Sequence, residues 1–179
     1  PERLAELNSH LMLFYTGIKR TASEIASSYV PSIGERSALL NQLRDYVDES
    51  CDVLNSNQSL IKFGELLHQA WMAKRSLSDK ISNAQVDALF EQARNAGAIG
   101  GKLLGAGGGG FVVLFVPPEK QGHVRKQLSR LIEVPFEFEF SGSQIIFFDV
   151  EEDFAQHDKD RNTRKIEAFR ELDETKSCF

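Results

Sequence analysis

Cysteine is scarce in this sequence. Its two cysteines, Cys51 and Cys178, stand far apart and have no metal-ligand spacing around them. They predict free thiols in a reducing compartment, which favours a cytoplasmic protein. Long apolar runs are also missing, since none approaches the roughly 18 residues that a membrane-spanning helix needs. The first residues show no signal peptide either, so we expect no membrane partner.

An excess of basic residues is absent as well. The 179 residues carry a formal net charge of -5, which argues against a nucleic-acid partner because binding to phosphate backbones relies on Lys and Arg. The four histidines are scattered without ligand spacing, so they predict neither a metal site nor a catalytic histidine. This length suits one domain and can bury a substantial core.

Glycine, in contrast, is concentrated in one place. The stretch Gly100–Gly110 contains seven glycines in eleven residues and runs directly into the apolar segment Phe111–Val116. Glycine has no Cβ, so it tolerates positive φ and lets backbone amides approach a ligand closely. Such a loop can turn several amides towards one anion, usually a phosphate. A plain glycine-rich hairpin without a ligand is the alternative.

Two common phosphate motifs do not fit this stretch. Gly105, Gly107 and Gly110 satisfy the spacing of a dinucleotide fingerprint, but that motif needs a helix after the glycines. Here the following residues predict a buried strand. A P-loop ends in Gly-Lys-Ser/Thr, whereas Lys102 precedes the glycines. The remaining interpretation is a glycine loop that connects two strands.

Hydrophobic periodicity predicts the order strand, four helices, strand–loop–strand, helix and two strands. Asn83 is expected to cap the fourth helix and Gly97 to end it. Pro118 is expected to begin the fifth helix, whose apolar stripe would include Ile132. The predicted strands are His10–Thr16, Gly101–Leu104, Phe111–Val116, Val134–Phe140 and Gln144–Phe148, and the first three helices are Ile18–Tyr29, Gly34–Leu54 and a segment from about Ser59.

With the helical insertion set aside, this order predicts a ferredoxin-like fold. We therefore expect an α+β protein with an antiparallel sheet, a multi-helix insertion and helices packed on one face. One domain is expected over residues 1–150. Residues 151–179 are predicted to form a charged tail, with a helix around 163–172.

The glycine stretch Gly101–Gly110 is similar to the third conserved motif of the GHMP kinases, which include galactokinase, homoserine kinase and mevalonate kinase. Other blocks resemble one branch of that family, the D-glycero-D-manno-heptose 7-phosphate kinases and related sugar kinases. These blocks are Leu13–Ile18, Arg20–Glu24, Gly64–His68 with Trp71, Lys74–Ser78, Lys80–Asn83 and Phe136–Ile146. The resemblance covers residues 7–150.

The resemblance implies a kinase that uses ATP and Mg²⁺, both held mainly by an N-terminal domain. The nucleotide-binding loop of that domain has no counterpart in this sequence, which begins at Pro1, so the chain is expected to be the C-terminal half of a longer protein. Phosphoryl transfer depends on positioning and charge around the nucleotide. We therefore expect the isolated chain to be inactive and to contain no catalytic residue.

The resemblance also implies particular site residues. Gly105, Ala106, Gly107, Gly108 and Gly109 would form the phosphate loop. The residues predicted to bind the sugar phosphate are Lys74, Arg75, Lys102, Tyr15 and Arg20. The simpler alternatives are charges at a helix C-terminus for Lys74 and Arg75, a solvent-exposed Lys102 and a core Tyr15. At the level of the whole protein, the alternative is a non-catalytic ferredoxin-like module that binds a small anionic effector.

Overall fold

The computed structural model describes residues 2–146, 155 and 159–160. The chain divides into two compact units, Pro1–Phe138 and Glu139–Phe179. In the first unit the helices are α1 (Glu2–His10), α2 (Ala22–Ser27), α3 (Ser37–Leu54), α4 (Ile61–Arg75), α5 (Ala84–Asn95) and α6 (Gln121–Gln127). The strands are β1 (Leu11–Tyr15), β2 (Gly100–Leu103), β3 (Phe111–Phe115) and β4 (Ile132–Glu133), and 3₁₀ helices cover Val30–Arg36 and Pro118–Lys120.

The four strands form one antiparallel sheet in the order β2-β3-β1-β4. This is the strand order of a ferredoxin-like fold, with α2–α5 inserted between β1 and β2. In the register of the sheet, Leu13 lies opposite Val113, and Val113 lies opposite Lys102 on β2. The expected α+β class and antiparallel sheet are confirmed.

The main core covers one face of the sheet. Met12, Phe14, Val112 and Leu114 alternate towards it, as the period of two in a strand requires, and they are almost fully buried. Trp71 of α4 and Phe90 of α5 belong to the same cluster, and their rings stack with centroids 5.1 Å apart.

Phe115 points to the opposite face of the sheet, where a second, smaller cluster buries it against Leu7 of α1, Leu60 and partly buried residues of α4. Helical packing therefore reaches both faces at the end of β3. The sequence had predicted helices on one face, and the difference arises because Leu114 and Phe115, neighbours on one strand, are both buried.

Helix α4 lies directly against β2, and two glycines permit this close approach. A Cβ added to Gly100 would lie 2.0 Å from the backbone oxygen of Gly64. A Cβ on Gly64 would lie 2.5 Å from a ring carbon of Phe115. This contact fixes α4 beside the edge of the sheet. The C-terminal turn of α4 thereby extends to the loop that follows β2.

Helix α5 begins and ends as predicted. The side-chain oxygen of Asn83 accepts hydrogen bonds from the backbone N–H groups of Gln85 (3.1 Å) and Val86 (3.0 Å), which satisfies two of the free donors at a helix start. At the other end Gly97 adopts a φ of 111°, and its N–H donates to the carbonyl of Arg94. Both residues therefore confirm the interpretation of the sequence.

The predicted strand over Val134–Phe140 is wrong. Only Ile132–Glu133 pairs with β1, and one further hydrogen bond of 2.8 Å joins the N–H of Val134 to the carbonyl of Leu13. Pro135 contributes to the early end of β4 because its ring fixes φ at about -65°, away from the values of an extended strand.

Other boundaries also differ from the prediction. Ile132 lies in β4 and is 64% exposed, so it is no part of the stripe of α6. The helix predicted over Ile18–Tyr29 covers only Ala22–Ser27, and a 3₁₀ helix precedes α3. The strand predicted over Gln144–Phe148 is not formed at residues 144–146, the part of it that the structure describes. The boundary at residue 150 and the tail helix lie outside the described residues and stay predictions.

No helix within the described ranges has the length and apolar character needed to cross a membrane. Cys51 is a free, exposed cysteine, as predicted, whereas Cys178 lies outside the described residues. In the second unit, between residues 139 and 146, the backbone N–H groups of Phe140 and Ser141 donate to the carboxylate of Glu139. The hydrogen bonds from Ser141, followed by that from Phe140, lower the pKa of this carboxyl.

Candidate anion-binding site

The loop between β2 and β3 has a backbone that only glycine adopts readily. Its base is closed by a 2.8 Å hydrogen bond from the N–H of Leu104 to the carbonyl of Phe111. Four of its glycines have positive φ, which other L-residues adopt only with strain: Gly105 (70°), Gly107 (121°), Gly108 (75°) and Gly110 (90°). The glycine richness of this stretch is therefore a conformational requirement.

Hydrogen bonds from two neighbouring segments hold the loop in place. The N–H of Gly108 donates to the carbonyl of Ile81 (2.8 Å), and the N–H of Gly110 donates to the carbonyl of Ile18 (3.1 Å). The carbonyl of Gly110 in turn accepts from both the N–H and the hydroxyl of Thr16, each at 2.8 Å. The loop is thus anchored to the end of β1 and to the segment before α5.

Asn83 connects the loop to helix α5. While its side-chain oxygen caps the helix, its Nδ2 donates a 2.9 Å hydrogen bond to the carbonyl of Gly108. One amide side chain therefore fixes the start of α5 and the middle of the glycine loop at the same time.

The remaining loop amides have no acceptor within the described part of the chain. They are the N–H groups of Gly105, Ala106, Gly107 and Gly109, and none takes part in the hydrogen bonds of the loop described above. Backbone N–H groups of a glycine-rich turn without an internal acceptor are the kind of donor that binds anions in proteins. These residues include four of the five predicted for the phosphate loop. The fifth, Gly108, supplies anchorage.

Three positive side chains surround the loop. The Nζ of Lys74 donates to the carbonyl of Gly105. The Nη2 of Arg20 lies over the loop, 3.0 Å from the position of a Cβ on Gly105 and 3.9 Å from one on Gly110. Lys102 precedes the loop on β2. Within residues 2–146, none of the three cations forms an ion pair with a carboxylate.

The crowding of these cations affects the pKa of Lys74. Burial, followed by the positive charges of Lys102 and Arg20, lowers the pKa of Lys74 to about 8. The Nε of Arg20 is buried and has no hydrogen-bond partner among the residues that the structure describes. An uncompensated group of like charges is unfavourable, and a bound anion would relieve it.

Lys74 and Arg75 are neighbours in sequence, but their side chains contact different parts of the protein. Successive residues of an α-helix are rotated by about 100° around its axis, so the two side chains point apart. Lys74 faces the glycine loop, whereas Arg75 forms a 2.8 Å ion pair with Asp87 on α5. The structure therefore brings Lys74, Lys102 and Arg20 together and leaves Arg75 in another environment.

Tyr15 ends β1 on the sheet face opposite the main core, and its ring lies against that of Phe111 with centroids 5.1 Å apart. The hydroxyl of Thr16 donates a hydrogen bond to the carbonyl of Gly110 and accepts one from the N–H of Ile18. Neither contact requires a ligand. A substrate role for Tyr15 stays a prediction.

A cleft of about 550 Å³ opens beside the loop. Arg20 and Lys80 supply its positive charges, Glu24 supplies a negative one, and Gly108 joins it to the glycine loop; its other lining residues are Ile25, Ser27, Ser82 and Asn83. A larger cleft of about 820 Å³ lies between the end of β1, α5 and residues 127–131. Of these two clefts, the smaller one contains a residue of the glycine loop, Gly108, together with one of the three cations, Arg20.

Acidic metal ligands are not grouped near the loop. Across the described ranges, no three His, Cys, Asp or Glu side chains are arranged to hold a metal ion. The chemistry that these residues offer is the binding and charge compensation of an anion by amides, ammonium groups and a guanidinium. The expectation that Mg²⁺ is held mainly by another domain stays a prediction.

Sequence reasoning missed the side chains and carbonyls that anchor the loop: the carbonyls of Ile18 and Ile81, the hydroxyl of Thr16 and the amide nitrogen of Asn83. Asn83 was detectable as a helix cap from its place before an apolar-periodic segment. The hydrogen bond from its Nδ2 to Gly108 crosses 25 residues of sequence, and no local pattern carries such information.

The structure thus places a glycine loop in a ferredoxin-like sheet, with Lys74, Arg20 and Lys102 beside it, an arrangement that would suit an anion. The family model of the GHMP kinases C terminal matches residues 38–133, which is just over half of the chain. The chain belongs to the GHMP kinase family and corresponds to its C-terminal domain.

Curated relatives include sugar and sugar-phosphate kinases. The D-glycero-alpha-D-manno-heptose 7-phosphate kinase of Campylobacter jejuni is 28% identical over 133 residues, which are 70% of this chain and 38% of that protein. The L-fucokinase/L-fucose-1-P guanylyltransferase of Bacteroides fragilis is 32% identical over 122 residues, 66% of this chain and 13% of that protein. The chain thus spans well under half the length of either relative.

Solved structures share the fold. The crystal structure of L. major mevalonate kinase in complex with R-mevalonate matches with a TM-score of 0.58 and 19% identity. The match covers 69% of this chain and 40% of that one. At this identity the likeness establishes the common architecture, and it leaves the acceptor of the present chain undefined.

Proposed function

We propose that this chain is the acceptor-side half of an ATP-dependent, cytoplasmic kinase that phosphorylates a sugar or sugar phosphate resembling a heptose 7-phosphate. The observation that carries the proposal is a set of four loop amides beside three cations, for which the described residues supply neither an amide acceptor nor a carboxylate partner. Such a site suits phosphate groups, because amides and cations compensate the charge that phosphoryl transfer redistributes.

Each group has a distinct part in this proposal. The amides of Ala106, Gly107 and Gly109 bind phosphate oxygens. Lys74 and Lys102 provide positive charge next to them. ATP with Mg²⁺ supplies the phosphoryl group, held mainly by the N-terminal domain.

Support for a phosphorylated acceptor comes from the cleft that adjoins the loop. Arg20 and Lys80 line it and are opposed there by one carboxylate, that of Glu24. Arginine binds phosphate through a planar fork of donors, which a neutral sugar would not engage equally. The heptose 7-phosphate kinase among the relatives agrees with an anionic acceptor, whereas the fucokinase does not require one.

The proposal includes dependence on an N-terminal half. The described residues offer amides and cations for binding but no group of acidic side chains that could hold Mg²⁺. The matched relative from Campylobacter is more than twice as long as its matching part. We therefore expect the chain alone to bind phosphate compounds without turning them over.

Phosphotransfer from Mg-ATP to a panel of acceptors tests the proposal. The panel contains a heptose 7-phosphate, L-fucose and mevalonate, each offered to the full-length protein and to this chain. We expect turnover by the long form alone, fastest with the heptose phosphate. Loss of kinase activity in the full-length Lys74→Met variant would assign the cationic group to the reaction.

Lys62→Met is the matched control, because Lys62 lies on the same helix but is engaged by Glu49 at 3.1 Å. We expect this variant to keep full activity. If the folded full-length protein phosphorylates none of the acceptors but binds a small anion, the non-catalytic module described above is the correct reading.

A further inference from the structure

We propose that Lys74 is a reactive lysine that forms an imine with phosphorylated aldehydes, whose phosphate binds the loop amides and the neighbouring cations. The class of ligand includes aldose phosphates in their open-chain form. This inference rests on the anion site of the proposed function but does not require the protein to be a kinase.

The contacts of Lys74 suit a nucleophile. Its Nζ makes one hydrogen bond, to the carbonyl of Gly105, and it has no carboxylate partner in the part of the chain that the structure describes. A neutral amine keeps this bond by donating one hydrogen. Its lone pair is then free to attack an electrophile above the loop.

Among the described residues, the two charges that act on Lys74 are both positive. Lys102 faces it from β2 and Arg20 faces it from the segment before α2, while its helix neighbour Arg75 is paired with Asp87. These two cations and its own burial lower the pKa of Lys74 to about 8. At pH 7.5 roughly a quarter of such a lysine is neutral, about two hundred times the fraction of an ordinary lysine.

The same cations select the ligand. Lys102, Arg20 and the unpaired amides of Ala106 and Gly107 offer donors to a phosphate within the same group of residues. An aldehyde tethered to that phosphate is held close to the amine, which raises its effective concentration. A neutral aldehyde lacks this anchorage, so the reaction depends on the phosphate.

The chemistry is a condensation. The neutral amine of Lys74 attacks the carbonyl carbon, and a proton passes from nitrogen to the alkoxide to give a carbinolamine. Loss of water leaves the imine. Added borohydride then delivers hydride to the imine carbon, and water supplies the proton to nitrogen, which yields a stable secondary amine.

Pyridoxal 5′-phosphate is the first probe, applied to the full-length protein at pH 7.5 and trapped with borohydride. Peptide mass spectrometry compares the labelling of Lys74 with that of Lys62, which lies on the same helix and is paired with Glu49. We expect labelling of Lys74 to be at least tenfold faster than labelling of Lys62. A less basic amine is a weaker nucleophile, but this loss is smaller than the gain from the larger neutral fraction of Lys74. Glyceraldehyde 3-phosphate, an aldose phosphate, serves as the second probe and should label the same residue.

Pyridoxal without phosphate should label Lys74 at least tenfold less than the phosphorylated probe, and excess pyrophosphate should protect it. The Lys102→Met variant should reduce the preference for the phosphorylated probe. Equal labelling of Lys62 and Lys74, or equal labelling by both pyridoxal forms, would overturn the inference. Selective labelling in a protein without phosphotransfer would refute only the proposed kinase.

Discussion

Replacement of Gly107 by alanine is expected to destabilise the glycine loop through two separate effects. Its φ of 121° is strained for any residue with a Cβ, which costs about 1–3 kcal/mol. An added Cβ would also lie 2.8 Å from the carbonyl oxygen and 2.9 Å from the Cα of Ile81. Backbone atoms cannot move away as a side chain can, so this crowding adds about 1–3 kcal/mol.

Gly110→Ala is a matched comparison. Gly110 also has a positive φ, of 90°, but the nearest atom to an added Cβ is the Nη2 of Arg20 at 3.9 Å, an ordinary contact. Its substitution should therefore cost only the strain of about 1–3 kcal/mol. The difference between the two variants isolates the contact with Ile81.

Urea unfolding followed by the fluorescence of Trp71, the one tryptophan of the chain, measures both variants against the parent. We expect Gly107→Ala to lower the free energy of unfolding by about 2 kcal/mol more than Gly110→Ala does. By heat, the gap should be about 4–8 °C for a protein of this size. Equal losses in the two variants would refute the claim that Ile81 constrains the loop.

Four further predictions concern charge, anchorage and helix packing. The affinity of the chain for inorganic phosphate, measured by calorimetry, should fall as the pH rises through about 8, because Lys74 loses its charge there. The same lysine should make folding more favourable as the pH rises between about 8 and 10.5, because the unfolded chain then binds more protons. Asn83→Ala should lower the unfolding free energy by about 1–2 kcal/mol through the lost cap and should weaken phosphate binding through the freed carbonyl of Gly108. Gly64→Ala should cost about 1–3 kcal/mol, measured by urea unfolding, because its Cβ would meet the ring of Phe115.

The predictions on phosphate affinity, anchorage and helix packing each have a control. Lys74→Met should abolish the decline in phosphate affinity near pH 8, and an unchanged decline would assign it to another group. Asn83→Asp keeps the cap but places an oxygen against the carbonyl of Gly108, so it should impair phosphate binding while losing little stability. Gly34→Ala, where an added Cβ meets nothing within 4 Å, should leave stability nearly unchanged; a loss equal to that of Gly64→Ala would contradict the packing argument.

Much of this fold follows from local patterns in the sequence. The strand at Leu11–Tyr15 and helix α5 were predictable because apolar spacing, the cap at Asn83 and the glycine at position 97 all agree. The glycine loop was predictable because four positive φ values demand glycine. These signals depend on neighbours in the chain, which is why sequence alone carries them.

Features that depend on distant partners were not predictable from local patterns. The alternation of Phe and Glu after Val134 indicates two faces but not what would pair with them, and pairing ends where Pro135 follows. Lys74 and Arg75 appeared equivalent by sequence. Only the placement of α4 against β2 shows that the first faces the loop and the second faces Asp87.

The contact between Gly64 and Gly100 has a consequence at the far end of helix α4. Lys74 lies ten residues beyond Gly64, about 15 Å along the axis, so a tilt of about 5° at this pivot would carry its ammonium group about 1.3 Å sideways. Displacements of about 1 Å cost enzymes up to roughly a hundredfold in rate. The absence of side chains at Gly64 and Gly100 therefore determines where the ammonium group of Lys74 lies relative to the loop.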